Sequence, residues 1–191
     1  QGIEIVAGID EVGMGAFAGP VVAAAVILTP DTSIPGIRDS KLLSPTRRVS
    51  VSALIQQHAV SFAIGEASVE EITALNIRGA SHLAMARAVT ALSVTPELLL
   101  IDGTPAQIHP TIPAITIIDG DTLSLSIAAA SIVAKVYRDT LMQRLHNEFP
   151  QYGFSGNKGY GSLAHKQALI EHGPCPHHRP SYAPIAALTK T

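Results

Sequence analysis

The sequence has little charge, few aromatic side chains and almost no cysteine. Only 15% of its 191 residues are charged, 4% are aromatic, and tryptophan is absent. An ordinary domain is about a quarter charged, and 47% of this chain is hydrophobic, so a chain that is disordered throughout is excluded. Without aromatic bulk, the core has to be built from Ala, Val, Ile and Leu.

The shortage of cysteine and of long apolar runs limits where the protein works. Cys175 is the one cysteine, so no internal disulfide is available, which is typical of a reducing compartment. The longest apolar run covers residues 21–28, well short of the ~20 residues that span a bilayer. Glu4 and Asp10 interrupt the N-terminal segment, which lacks the basic start of a signal peptide. We therefore expect a cytoplasmic protein without membrane association.

Charge of neither sign dominates, because the formal net charge is only -2. No basic tail indicates a polyanionic partner, so composition by itself argues mildly against nucleic-acid binding. The length suits one compact domain. We predict a single domain over residues 1–191, in which residues from about 150 to 191, rich in His, Gly and Pro, form a C-terminal extension of short helices and loops.

Apolar runs alternate with amphipathic segments in a pattern typical of an α/β domain. Strands are predicted at 3–9, 21–28, 60–64, 98–101 and 114–118, and helices at 45–58, 69–92 and 127–149. Ser44 before a proline, and Ser68 three residues before Glu71, mark two helix starts. The short glycine-rich link between the first two strands predicts antiparallel pairing. The later apolar strands indicate a sheet covered on both faces, with parallel strands in its back half.

Acidic side chains follow directly on three predicted strands. Asp10 and Glu11 follow the first, Asp102 the fourth, and Asp119 and Asp121 the fifth. Strand ends that converge on one edge of an α/β sheet form the usual ligand crevice. Four carboxylates gathered there cannot all stay ionised without cations. Two Mg²⁺ or Mn²⁺ ions would balance them through oxygen ligands, in the arrangement used for in-line displacement at phosphorus.

This metal hypothesis has a geometric condition and a simpler alternative. Neighbouring strand residues point to opposite faces, so Asp10 and Glu11 would both ligate only if the strand ended or bent between them. Each strand-end carboxylate could also simply cap the loop or helix that follows it. The spacing is shared by many metal-dependent enzymes and does not choose among them.

Longer strings narrow the choice. The chain contains AGIDEVG at 7–13, AGPVVAAAV at 18–26, DSK at 39–41, LIDG at 100–103, SIAAASIVAKV at 126–136 and KGYG at 158–161. In this order, and over nearly the whole chain, they resemble the motifs of bacterial type 2 ribonuclease H (ribonuclease HII). The resemblance implies a ribonuclease H fold: a five-stranded mixed sheet flanked by helices, with a helical C-terminal extension.

The resemblance also implies an activity. It implies a divalent-metal-dependent endoribonuclease that cleaves the RNA strand of RNA–DNA hybrids. The same enzyme would incise 5′ of single ribonucleotides in duplex DNA, leaving 3′-hydroxyl and 5′-phosphate ends by two-metal in-line water attack. The matching catalytic and metal-ligating carboxylates are Asp10, Glu11, Asp102 and Asp121. We expect a monomer that binds these two duplexes, and the sequence shows no clear peptide for a sliding clamp.

Further residues match the family's substrate contacts. Gly13, Met14 and Gly15 stand where the family has a glycine–arginine–glycine loop, and Met14 can neither carry charge nor donate a hydrogen bond. Tyr160 matches a tyrosine that stacks on the sugar beside the ribonucleotide. The candidate phosphate contacts are Lys41, Lys135 and Lys158. Because Met14 replaces an arginine, we expect weak and salt-sensitive substrate binding.

Two other functions stay open from sequence. One is a catalytically weak nucleic-acid-binding member of the same fold, which is suggested because this chain lacks basic residues that are common in the family. The other is a different metal-dependent nuclease or phosphatase. Asp119 stands where the family usually has a lysine, which leaves open which of Asp119 and Asp121 ligates metal; the spacing downstream favours Asp121. When the four matching carboxylates are set aside, Lys and Arg slightly outnumber Asp and Glu, so composition argues only weakly against nucleic-acid binding.

Overall fold

A five-stranded mixed sheet lies at the centre of the structure, a computed structural model that describes residues 3–37, 43–103 and 107–188. Its strands are β1 (Val6–Val12), β2 (Val21–Ile27), β3 (Ser61–Ala67), β4 (Leu98–Asp102) and β5 (Ala114–Ile117). They are ordered β3-β2-β1-β4-β5. The β1–β2 and β2–β3 pairs are antiparallel, and the β1–β4 and β4–β5 pairs are parallel. The predicted antiparallel front and parallel back are confirmed.

The helices begin where their capping residues predict. Ser44 accepts a hydrogen bond from the Arg47 backbone at the start of α1, and Ser68 forms a complete capping box with Glu71 at the start of α2. The helices are α1 (Pro45–His58), α2 (Val69–Thr90), α3 (Gly120–Leu123), α4 (Leu125–Glu148), α5 (Phe154–Asn157), α6 (Leu163–His172) and α7 (Ala183–Ala186). Within the described ranges, every helix is too short or too polar to span a bilayer.

Two glycines let the long helices lie directly against the sheet. A Cβ on Gly8 would lie 2.1 Å from the Ser126 carbonyl carbon of α4, and a Cβ on Gly65 would lie 2.1 Å from the Ala84 carbonyl oxygen of α2. Small side chains elsewhere on β2 complete these contacts, so one core lies under α2 and a second lies under α1 and α4. A side chain larger than hydrogen at either glycine would push a helix away from its strand.

Residues 149–188 pack against one end of this layered structure. A third apolar cluster joins Met142 near the end of α4 to Tyr152, Phe154 and Leu169. Ala18, in the loop between β1 and β2, belongs to the same cluster. The C-terminal segment is therefore fixed beside the loop that follows β1.

Three details differ from the sequence predictions. The strand expected to end before Asp10 continues to Val12, because the ladder pairs Asp10 with Ala24 and Glu11 with Ala23. Helix α2 is broken at Asn76, whose φ of 60° and ψ of 169° are not helical. A short helix that was not predicted from the sequence, α3, follows β5 and carries Asp121 in its first turn.

Candidate active site

The predicted carboxylates come from three neighbouring elements. Asp10 and Glu11 lie on β1, and Asp102 is the last residue of β4, which runs parallel beside it. Asp121 is buried in α3, and the adjacent Gly120 donates its backbone N–H to Asp102 Oδ1 at 2.7 Å. The parallel pairing of β1 with β4 therefore carries these groups to one edge of the sheet.

Burial and mutual repulsion disturb the ionisation of this group. Burial raises the pKa of Asp10 well above its usual value, and the charges of Glu11 and Asp102 raise it further. Hydrogen bonds from the Glu11 backbone and from Ser131 oppose the rise. Burial, followed by the charge of Asp102, raises the pKa of Glu11 to about 7. Asp10, Glu11 and Asp102 are thus close enough to repel one another.

The two carboxylates on β1 do not need a break in the strand to contribute. Asp10 is bonded to Ser131 on α4, whereas Glu11 lines a cavity beside α2. From the sequence, both were expected to ligate only if the strand ended or bent between them; the strand does not end there, because the β1–β2 ladder continues through both residues. One unbroken strand therefore presents Asp10 and Glu11 to its two different faces, at the edge where β4 ends in Asp102.

The carboxylates fit divalent cations in their chemistry. Hard dications prefer carboxylate oxygens, and positive charge would relieve the repulsion that raises the pKa of Asp10 and Glu11. Within residues 3–37, 43–103 and 107–188, no three His, Cys, Asp or Glu side chains already stand in an arrangement that could hold a metal ion. One oxygen each of Asp10 and Asp102 accepts a backbone N–H instead. The metal ligands therefore stay a prediction.

A cavity of about 270 Å³ opens beside the acidic group. Glu11, Asp102, Gly103 and Met14 line one side of it. The other side is α2, which contributes Arg78, Ser81, His82 and Met85. These α2 residues were not predicted to belong to the site, although their i, i+3, i+4, i+7 spacing places them on one face of a helix.

The glycine loop after β1 packs against buried arginine side chains. Gly13 has φ +95°, and a Cβ there would lie 2.2 Å from Arg138 Nε. The Met14 carbonyl accepts hydrogen bonds from Arg179 Nη1, at 2.9 Å, and from the Tyr182 hydroxyl. Met14 itself packs partly into the core and also lines the acidic cavity. The loop backbone is thus fixed by the C-terminal segment.

Arg138 and Arg179 are fully buried cations. Arg138 donates to the carbonyl oxygens of Ala18, Pro20 and Lys158 at 2.9–3.1 Å. Arg179 donates to the carbonyls of Gly19 and Met14, each at 2.9 Å, and to the Tyr182 hydroxyl. Burial lowers the pKa of Arg138 to about 10, so its guanidinium stays charged at neutral pH.

Tyr160 lies beside the glycine loop. Its ring is 38% exposed and stands 5.7 Å from the Arg138 guanidinium carbon. A Cβ on Gly15 would lie 3.9 Å from Tyr160 Cε1. The Tyr160 carbonyl is bonded to His165 Nδ1 at 2.9 Å. The structure therefore brings together two features that the sequence predicted separately, the loop and the tyrosine.

The predicted lysine contacts are engaged with protein groups. Lys135 Nζ lies 2.7 Å from Asp139 Oδ1, one helical turn away. Lys158 Nζ donates to the Ser155 carbonyl at 2.6 Å. Lys41 lies outside the described residues. The role of these lysines in phosphate binding stays a prediction.

The chain is similar to known proteins over nearly its whole length. The family model described as Ribonuclease HII matches residues 7–185. The chain is 52% identical over 185 residues to Ribonuclease HII 1 of Methylibium petroleiphilum, covering 97% of this chain and 93% of that protein. It is also 52% identical over 182 residues to Ribonuclease HII of Verminephrobacter eiseniae, covering 95% and 87%.

The chain belongs to the ribonuclease HII family. It is therefore a ribonuclease H, a hydrolase of the endonuclease type, and enzymes of this kind act on RNA–DNA hybrids and depend on metal ions. The predicted resemblance and the predicted class of enzyme are confirmed.

Solved structures confirm the ribonuclease H fold. Ribonuclease H2 from Pyrococcus horikoshii superimposes with a TM-score of 0.80 at 21% identity, over 96% of each chain. Ribonuclease HII from Archaeoglobus fulgidus, solved in a complex with PCNA, gives 0.80 at 25% identity, over 93% of this chain and 95% of that one. Ribonuclease HIII of Bst, solved with Mn²⁺, gives 0.72 at 20% identity, over 97% and 69%.

Proposed function

We propose that this ribonuclease HII incises 5′ of single ribonucleotides embedded in duplex DNA, as well as cleaving RNA in hybrids, and leaves 3′-hydroxyl and 5′-phosphate ends. The observation that carries the proposal is the group formed by Asp10, Glu11 and Asp102. These carboxylates come from adjacent strands, and burial and mutual repulsion raise the pKa of both Asp10 and Glu11. Buried like charges that repel one another are typical of a site that is completed by a cation.

Asp10, Glu11, Asp102 and Asp121 would hold two divalent ions, Mg²⁺ or Mn²⁺. When bound, such ions supply an activated water and stabilise negative charge on the leaving oxygen. The chain contributes the rest. Asp10 is oriented by Ser131 and by the Glu11 N–H, and Asp102 is oriented by the Gly120 N–H. These hydrogen bonds fix the carboxylate oxygens in advance, which lowers the cost of ordering them when substrate binds.

The glycine loop and Tyr160 supply the substrate specificity in this proposal. The partly exposed Tyr160 ring offers a flat face on which a sugar can pack, and it stands beside Gly15. The exposed Gly15 allows a nucleic-acid strand to approach the backbone closely, while Gly13 leaves room for the Arg138 side chain behind the loop. A 2′-hydroxyl is the group that separates RNA from DNA, so recognition at this loop would direct cleavage to the ribonucleotide.

Cleavage of matched duplexes tests the proposal. End-labelled duplexes that are all DNA, RNA–DNA hybrid, or DNA with one ribonucleotide are incubated with the protein and Mn²⁺ or Mg²⁺. We expect cleavage of the last two only, and a loss on the order of 10³-fold in Asp10→Asn, because metal-assisted charge stabilisation is worth several kcal/mol. Asp31→Asn, at an exposed position outside the acidic group, is the control and should cleave normally.

Two results would contradict the proposal. Wild-type turnover by Asp10→Asn would remove the carboxylate group from the mechanism. Equal cleavage of the all-DNA duplex would show a nuclease without ribonucleotide recognition. Removal of divalent ions with a chelator should abolish cleavage of every duplex, and addition of Mn²⁺ or Mg²⁺ should restore it.

A further inference from the structure

The acidic cavity needs a positive group if a phosphodiester is to approach it. Glu11 and Asp102 line the cavity, and Met14 offers no charge. Elsewhere near the site, Arg138 and Arg179 are buried and bonded to backbone carbonyls, while Lys135 and Lys158 are bonded to protein oxygens. Beyond the divalent ions of the proposed function, attraction of a substrate phosphate therefore depends on some other cationic side chain.

Arg78 is that cation among the residues that line the cavity. It is the one Lys or Arg in the described lining, its residue is exposed, and it faces the cavity from α2 while Met14 faces it from the loop. Both side chains thus border the same space, from different elements. A positive charge at Arg78 can reach the volume that a longer, charged side chain at Met14 would occupy.

The break at Asn76 sets the position of Arg78. Asn76 Oδ1 accepts the backbone N–H groups of Arg78 and Gly79 at 3.0 and 3.1 Å, so Asn76 acts as the N-cap of the second part of α2. Arg78 therefore lies in the first turn after this cap. A cation in a first turn opposes the helix dipole, so helix stability does not account for an arginine at this position.

We propose that Arg78 binds a backbone phosphate beside the scissile bond and supplies the positive charge that Met14 does not. The inference rests on the proposed function, because it concerns the same substrate. A guanidinium can bind two phosphate oxygens at once, which gives orientation as well as attraction. Arg78 is therefore a substrate-binding residue from α2, and the charge that the glycine loop lacks comes from the opposite wall of the cavity.

A competing role for Arg78 is to neutralise Glu11 and Asp102, which line the same cavity. The two roles differ in their dependence on salt. A phosphate contact adds counterion release to binding, so its loss makes the salt dependence of affinity shallower by about one contact, roughly 0.9 in the slope of log K against log salt. A residue that only neutralises carboxylates leaves this slope unchanged and changes metal affinity instead.

The test measures binding of a fluorescent duplex carrying one ribonucleotide, in chelator so that no cleavage occurs, over a range of KCl concentrations. Arg78→Met should weaken binding about tenfold and reduce the salt slope by roughly 0.9. Arg78→Lys should keep the slope, because the charge remains. Arg47→Met removes an exposed arginine from α1 and should bind like wild type. Unfolding temperature should not fall in Arg78→Met, because the residue opposes its helix dipole.

A charge relocation completes the test. Met14→Arg combined with Arg78→Met should restore both affinity and slope, because the two side chains border one cavity. An unchanged salt slope in Arg78→Met, whether or not the affinity falls, would overturn the inference, as would a wild type that binds no duplex. Cleavage is read separately: a protein that binds through Arg78 but fails to cut at a ribonucleotide would contradict the proposed function and leave the phosphate contact standing.

Discussion

Two groups of buried charge flank the loop that joins β1 to β2. On β1, Asp10 and Glu11 are surrounded by other carboxylates, and their pKa values rise. Behind the loop, Arg138 and Arg179 are equally buried, and they donate hydrogen bonds to backbone carbonyl oxygens, although the buried Nη2 of Arg179 donates none among the described residues. The carboxylates of the first group repel one another, whereas carbonyl dipoles compensate most of the charge in the second.

This difference separates a structural charge from a functional one. A buried charge that is well hydrogen-bonded stabilises the groups around it, and here those groups are the glycine loop and the Tyr160 segment. Buried like charges raise the free energy of the folded protein until a ligand neutralises them. Removing a charge should therefore have opposite effects on stability in the two groups.

The largest expected effect is at Arg138. Arg138→Met leaves one buried carbonyl and two part-buried carbonyls without this donor, and each unsatisfied buried acceptor costs about 1–3 kcal/mol. We expect the free energy of unfolding to fall by on the order of 4 kcal/mol, measured by denaturant titration. Arg144→Met, on the exposed face of the same helix, should change it by less than about 0.5 kcal/mol. A similarly small loss in both variants would show that the buried Arg138 charge does not stabilise the fold.

A third buried group, a histidine pair, should be sensitive to acid. His178 Nδ1 accepts the Cys175 N–H at 2.9 Å, and the two Nε2 atoms of His178 and His165 are 3.0 Å apart. A carbonyl oxygen can only accept a hydrogen bond, so His165 Nδ1 donates to the Tyr160 carbonyl. His165 Nε2 is then an acceptor, and the His178 Nε2–H donates to it. A proton added to either of these neutral rings would have no hydrogen-bond acceptor within this chain of hydrogen bonds.

The sign of the effect follows from the pKa of His178. Burial, with a smaller contribution from His165, lowers this pKa from 6.5 to about 4. The folded protein therefore prefers neutral His178, and stability is lost as pH falls from about 6.5 to about 4, by roughly 3 kcal/mol in total. Denaturant titrations at about pH 7 and about pH 4.5 measure it. His178→Gln should flatten this loss, while the exposed His58→Gln should leave it steep.

The smallest expected effect is at the acidic group, and its sign is opposite to that at Arg138. Because the pKa of Asp10 is raised, its ionised form is less stable in the folded protein than in the unfolded chain at neutral pH. Asp10→Asn should therefore raise the unfolding temperature in chelator, by the equivalent of about 1 kcal/mol. Added Mn²⁺ should stabilise wild type more than the variant. A destabilised variant in chelator would show that Asp10 is compensated by its hydrogen bonds.

Local sequence signals predicted the fold well where local physics decides it. The capping residues Ser44 and Ser68 mark helix starts that the structure confirms. The β1 boundary was missed because carboxylates read as strand-ending residues, whereas the ladder to Ala23 and Ala24 holds them in the strand. Pairing across a sheet is a tertiary effect that overrides such local preference.

The site was predicted only as far as its motifs reach. The loop, Tyr160 and the four carboxylates each lie in a recognisable string, whereas Arg78 lies in the middle of a helix that reads as a core element. Its place in the cavity depends on the break at Asn76 and on how α2 crosses the sheet. Neither the left-handed asparagine nor the crossing has a signal in the sequence around it.

The strand order also has a consequence for how the enzyme forms. The meander of β1, β2 and β3 pairs segments close in sequence, whereas Val6 on β1 pairs with Leu98 on β4 across about half of the chain. Contacts between distant segments close more slowly, because the entropy of closing the intervening loop comes first. Asp102 reaches Asp10 and Glu11 only when this pairing is made. The acidic group of Asp10, Glu11 and Asp102 therefore cannot assemble before this long-range pairing is made.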